Sequence, residues 1–289
     1  MKLLVKFNLV MCLVFLAGFI GAGFISNRLL QRNARREIFE NARIMMEAAL
    51  AVRAYTGKEI KPLLDTQMKY SFLPQSVPAY SANQYFAQLR TKFPDYSYRE
   101  ATLNPTNPVN RANDWEADVI QYFRQNPQDT ERIGQRETAA GPALYIARPM
   151  KVGSSCLACH DTAEDAPRTL VDRYGPNNGF GWKVNDIVTA QIVSAPMRLP
   201  LQKAQSTFAV FMVSLAVIFG IVFLAVNAML ILLVTRPIDR LAGVANELSL
   251  GNLNAPEIRV DGSDEISHLQ ESFNRMRKSL VEAIKLLET

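Results

Sequence analysis

Between Phe208 and Val234 the chain is apolar for 27 residues, interrupted only by Ser214 and Asn227. In hydrocarbon a backbone must satisfy its own polar groups, so a run this long predicts a membrane-crossing helix with length to spare for tilt. A second run, Phe7 to Ile25, is broken only by Asn8 and is preceded by Lys2 and Lys6. About twenty such residues span a bilayer. A secretory leader cut near Gly21-Ala22-Gly23 is the competing reading, although the run exceeds the usual core of a leader. Spans expected at 7–26 and 207–234 divide the chain into a short N-terminal piece (1–6), a central region (27–206) and a C-terminal region (235–289).

The net charge of +5 is modest for 289 residues, and the basic side chains are scattered rather than striped with aromatics. Nucleic acid is therefore not an expected partner. The chain has 3 cysteines, too few for a disulfide scaffold, so Cys156 and Cys159 call for chemistry. They stand in Cys156-Leu157-Ala158-Cys159-His160, the attachment pattern for c-type haem. The two thiols at this spacing reach one edge of a macrocycle, and the adjacent histidine lies under the iron as an axial ligand. Three other readings compete. A zinc site needs four ligands, and the remaining thiol, Cys12, sits in an apolar run. A thioredoxin-like pair would leave Cys159-His160 a coincidence. A plain disulfide is the third. The expected cofactor is one covalent haem c.

Along the chain, Asn27 to about Asp65 reads as one long helix continuing the first span. Ile38, Ala42, Met45, Met46, Ala49 and Val52 form its apolar stripe, and Pro62 is expected to end or kink it. The middle is punctuated by Pro74, Pro78, Pro94, Pro105, Pro108 and Pro127. Strand-like runs occur at 96–99, 143–147 and 187–193, and helical spacing at 81–93 and 112–124. A small antiparallel sheet with helices packed on it, an α+β domain, follows. Asp161-Thr162-Ala163-Glu164 predicts a capping box at the start of a further helix.

Lys2 and Lys6 favour a cytoplasmic N-terminus, and Arg236 and Arg240 a cytoplasmic exit from the second span. Arg28, Arg32, Arg35 and Arg36 vote the other way, but long translocated domains weigh little in this rule. Because c-type haem is attached outside the cytoplasm, the middle region is expected there, with both termini inside.

After the second span, Ile238, Leu241, Val244, Ala245 and Leu248 make one helical stripe. Ile266, Leu269, Phe273, Met276, Leu280, Ala283 and Leu287 recur at alternating three and four spacing, the seam of a coiled coil. Leu253, Ile258 and Val260 in the connector can tuck into a bundle. A single helix pair cannot bury both stripes, so a parallel homodimer of four helices is expected; an ordinary cytoplasmic helical hairpin is the alternative. Pro237-Ile238-Asp239-Arg240-Leu241 and Asp264-Glu265-Ile266 resemble a HAMP domain, the relay module behind membrane spans in bacterial receptors. The family continues with glycine where this chain has Ser267.

The middle region resembles the PAS-like, c-haem-bearing sensor domain over roughly Arg36 to Pro200. The carriers are Met46 to Leu50 with Arg53-Ala54-Tyr55-Thr56, Ala147-Arg148-Pro149, the haem motif, Tyr174 to Trp182, and Val193 to Met197. The resemblance implies a domain between two spans, ahead of a HAMP module, that senses redox state or a small ligand. Some relatives offer a distal cysteine, and none is spare in this middle region. The only other histidine, His268, falls in the coiled coil. Among Met45, Met46, Met68, Met150 and Met197, the second axial ligand is expected to be Met46 or Met45, on the helix leading from the first span; core packing or a vacant site are the alternatives. Arg148, Lys151, Arg53 and Tyr55 are candidate partners for haem propionates.

The expectation is thus a two-span bacterial inner-membrane sensor with a periplasmic or otherwise external haem domain. It would relay haem state through a HAMP dimer to a separate cytoplasmic output protein. A membrane-anchored monohaem cytochrome serving an electron-transfer partner is the runner-up. No hydrolase triad or phosphate loop is present, and no enzyme activity is expected.

Overall fold

The computed structural model describes residues 3–260 and 262–287. Lys2 and the last two positions of 235–289 lie outside them. The chain forms two compact units, one of residues 27–207, the other of the N-terminal 26 residues together with 208–289.

In the first unit a helix that begins in the other unit, α1 (Leu3–Tyr55), continues through a π-helical turn, Thr56–Ile60, into α2 (Lys61–Met68). Pro62 therefore does not stop the helix. It falls in the first turn of α2, directly after the π-helical turn. After α3 (Pro78–Arg90) come β1 (Ser97–Thr102), α4 (Asp114–Gln125), β2 (Arg132–Thr138) and β3 (Gly141–Lys151). Then follow α5 (Ser154–His160), α6 (Arg168–Tyr174) and β4 (Ile187–Pro196), from which the chain enters α7 (Arg198–Leu230). The sheet is antiparallel throughout, in the order β1-β4-β3-β2.

Period-two alternation builds both cores. Leu144, Ile146, Val193 and Ala195 face Ile38, Ala42, Met45, Met46 and Ala49 of α1 and Ala82 and Phe86 of α3. Tyr145, Ala147, Ala190 and Ile192 face Val119, Ile120 and Phe123 of α4. The central strand β4 is consequently buried along its whole length. Helices cover both faces, an α+β architecture. Asn113 and Glu116 close a reciprocal capping box at the start of α4.

Strand β2 had no sequence signal. Its residues Arg132-Ile133-Gly134-Gln135-Arg136-Glu137-Thr138 lack an apolar run, as an edge strand with half its surface in water allows. Gly134 is opposite Tyr145, whose ring occupies the space a Cβ would need. Asp161 does not cap the next helix: it ends α5, while Thr162 and Asp165 bond each other and α6 starts after Pro167.

In the second unit two helices are long and apolar enough to cross a membrane. Phe15 stacks on Phe219 at 4.8 Å between ring centroids, and Met212 fills the space beside Gly23. A π-helical turn, Ile231–Thr235, leads from α7 into α8 (Arg236–Ser249), and α9 (Glu265–Leu287) follows a connector. Leu248, Ile258 and Phe273 form a buried cluster joined by Leu241, Val244 and Leu253. Asn274 clamps the backbone of Ile258 from both sides, at 2.7 and 3.1 Å. Val260 stays exposed, so of the three connector residues expected to tuck in, only Leu253 and Ile258 do. For Leu287 only the backbone is described.

Candidate haem-attachment site

Strand β3 ends at Lys151, and Val152 extends its pairing through bonds with Asn185 and Asp186. The chain then turns at Gly153 into α5, which carries Cys156, Cys159 and His160 on two turns. In the sheet, Lys151 is aligned with Ile187 and Ala143 with Pro196. The motif therefore hangs from the end of the sheet opposite to the one where β4 leaves for α7.

Neither cysteine is in a disulfide, and each is half-buried. Burial pushes the Cys159 thiol up; the charge of Lys61, on α2, opposes that, and Cys156 adds to it. His160 is held more closely. Its Nδ1 lies 2.7 Å from the carbonyl oxygen of Gly179 and 3.4 Å from Thr106 Oγ1. A carbonyl only accepts, so Nδ1 carries the proton and Nε2 keeps its lone pair. Burial lowers the histidine's pKa, partly offset by the bond to Gly179, which favours that neutral form. The ring is stacked on Trp182, 3.9 Å between centroids and 10° from parallel. A donor set of two thiols and one imidazole with its second nitrogen fixed on a carbonyl fits covalent haem with histidine ligation. It does not fit a four-ligand metal: among the described residues no group of three His, Cys, Asp or Glu side chains could hold an ion.

Of the other expected site residues, Met45, Met46, Arg148 and Arg53 are engaged with other partners in the domain. Met46 is completely buried and Met45 nearly so, both in the core between α1 and the sheet. At 1.5 Å per residue Met46 lies on the order of 20 Å along the helix from Lys61, the residue whose charge reaches Cys159. Arg148 bonds Glu47 at 2.8 Å and Glu131 at 2.9 Å. Arg53 pairs with Glu100 and donates to Met150 Sδ at 3.1 Å. Tyr55 and Lys151 are exposed. Met68 packs beside Phe72 and Leu170, its sulfur accepting from Leu73 N and Ser76 Oγ.

Sequence reasoning assigned no role to Thr106, Gly179, Gly181 or Trp182. The signal available was the glycine-rich stretch Gly179-Phe180-Gly181-Trp182. Both glycines have left-handed φ, +86° and +76°, and a Cβ on Gly179 would collide with Thr106.

Among families, the Tll0287-like family matches residues 31–196 and the HAMP domain matches 229–282. No curated protein matches the chain. A solved structure, that of the cyanobacterial haem protein Tll0287, is similar at 17% identity and a TM-score of 0.43, over 55% of this chain and 95% of that one.

Proposed function

The chain belongs to the Tll0287-like family, and on that premise we propose that it is a membrane-anchored c-type haem sensor that signals through its HAMP domain. The observation that carries the reading is the imidazole of His160, tied through Nδ1 to the Gly179 carbonyl at 2.7 Å beside both thiols. Cys156 and Cys159 would hold one haem c through thioether bonds, and His160 Nε2 would supply the protein's nitrogen ligand to its iron. When bound, the haem supplies a one-electron change or a site for a small ligand. The chain's own residues orient and transmit. The Gly179 carbonyl and Thr106 meet the imidazole at Nδ1. Lys61 places a cation near the Cys159 thiol, while Arg148 and Arg53 pair with carboxylates of the domain itself.

Transmission has a direct route in the topology of this unit. Strand β4 runs from the motif's end of the sheet to the end where α7 begins, and α1 lies along the same face. A small shift at the motif is thus applied to both helices that connect the domain to its spans. A coupling of about 1–3 kcal/mol is enough to switch a two-state element. With spans at 7–26 and 207–234, the haem domain 27–206 lies outside the cytoplasm of a bacterial inner membrane and the HAMP domain 235–289 inside. There it works as a homodimer that passes the signal to an output domain. Neither domain is catalytic, and we read the chain as a non-enzyme.

The test uses the full chain from a host that matures c-type cytochromes. Haem staining on a denaturing gel and spectra of the oxidised, reduced and carbon monoxide-treated protein should show covalent haem. Cysteines engineered into the 266–287 seam should crosslink differently in the two redox states. A colourless protein, or pigment lost in acid acetone, removes the haem assignment; identical crosslinks remove the sensor.

A further inference from the structure

One hydrogen bond fixes a nitrogen of an imidazole but leaves the ring free to tilt about that bond. At His160 the tilt is removed by Trp182, whose indole lies parallel to the imidazole at 3.9 Å and 10°. The indole is delivered there by backbone. Trp182 N–H donates to the His160 carbonyl at 3.1 Å, and Gly181 N–H donates to the Asp161 carbonyl at 2.6 Å. The segment 179–182 is thereby zipped onto the last turn of α5, with its bend set by two glycines in left-handed conformation and packed against Thr106.

We propose that Trp182 is a positioning residue for the axial histidine: stacked on the ring, it sets the plane in which the Nε2 lone pair is presented to iron. The proposal rests on the assignment of His160 as ligand and adds a determinant outside the attachment motif. Contact between two aromatic rings shifts an equilibrium by roughly two- to tenfold beyond the area it buries. Loss of the stack should therefore convert one imidazole orientation into a mixture, without loosening the covalent attachment.

The experiment compares full-length, haem-loaded parent with Trp182→Phe, Trp182→Leu and His160→Ala. Haem staining reports attachment. Electron paramagnetic resonance of the ferric protein and the iron–histidine stretching band of the ferrous protein report the plane and strength of ligation. Trp182→Phe retains a ring and should reproduce the parent. Trp182→Leu fills the volume without a ring; it should keep full haem staining but broaden both signals. Should the leucine variant fail to accumulate, Trp182→Met takes its place with the same expectation. Leucine or methionine spectra that superimpose on the parent's overturn the proposal, as does a phenylalanine variant as broad as leucine. Parent-like spectra from His160→Ala instead overturn the ligand assignment itself, a separable failure.

Discussion

The face of the sheet under α1 changes character along its length, and the change is made by single residues. Past Leu144, Ile146 and Val193 it carries Glu100, Gln191, Thr102 and Thr189, all buried. Arg53 answers Glu100 from the helix, Tyr98 donates to Glu100 Oε1 at 2.7 Å, and Gln191 donates to the Tyr98 hydroxyl at 3.3 Å. A carboxylate 2% exposed is tolerated because it is both paired and hydrogen-bonded. Burial, then the charge of Glu100, pushes the Tyr98 phenol above its ordinary 10.0. Unfolded chain then loses this proton first as pH rises. Tyr98 thus contributes stability that is complete below about pH 10 and is lost as the pH climbs through the folded value. Tyr98→Phe should be less stable than the parent by about 1–2 kcal/mol near pH 8, from the lost bond to Glu100. The gap should narrow between pH 9 and 11. Thermal unfolding of the detergent-solubilised full chain measures it, and two parallel lines would count against the account.

At the scale of elements, both long helices meet a proline in the same way. The turn Thr56–Ile60 precedes Pro62 and the turn Ile231–Thr235 precedes Pro237, each a π-helical widening that opens where the proline's missing donor and bulky ring disturb the ladder. Such a turn holds one residue more than an α-helical one and so offsets everything beyond it by about 100°. Restoring the donor with Pro237→Ala should let the second turn close to regular helix. The apolar stripe of α8, Leu241, Val244 and Leu248, would then rotate by as much as that angle relative to α7. Single cysteines along α8 in a proline and an alanine background should give crosslinking maxima at different positions. Coincident maxima would show that the widened turn survives without its proline.

On the scale of the whole molecule, α8 and α9 bury Leu248, Ile258 and Phe273 between them but leave Leu269, Met276 and Leu280 exposed, Met276 at 58%. Those exposed positions share the coiled-coil seam with buried Phe273, so a second copy is the occupant consistent with the HAMP match. Burying an apolar side chain of this size is worth about 1.5–3 kcal/mol. Met276→Glu together with Leu280→Glu should therefore weaken self-association by at least tenfold. Sedimentation of the full chain in detergent at graded concentrations checks it, and an unchanged mass distribution would dismiss this seam as the dimer contact.

What could be read without coordinates was local in its physics. Apolarity is a property of a run of residues, so both helices long and apolar enough to cross a membrane were legible. The spacing of Cys156, Cys159 and His160 is local as well, so their grouping on one short stretch, the helix α5, was legible too. The period of Ile38, Ala42, Met46 and Ala49 announced a buried stripe, but not what it is buried against. A methionine in such a stripe looks the same whether it ligates iron or fills a core, and the fold put Met45 and Met46 in the core. Polar β2 escaped because an edge strand needs pairing partners rather than a hydrophobic signature. Tertiary structure alone brought the Gly179 carbonyl to His160 across 19 residues and Arg53 to Glu100 across 47. Those contacts depend on the register of β1, β3 and β4 and on two left-handed glycines. Strand register arises from summed packing on both faces of the sheet, which no short stretch of sequence contains.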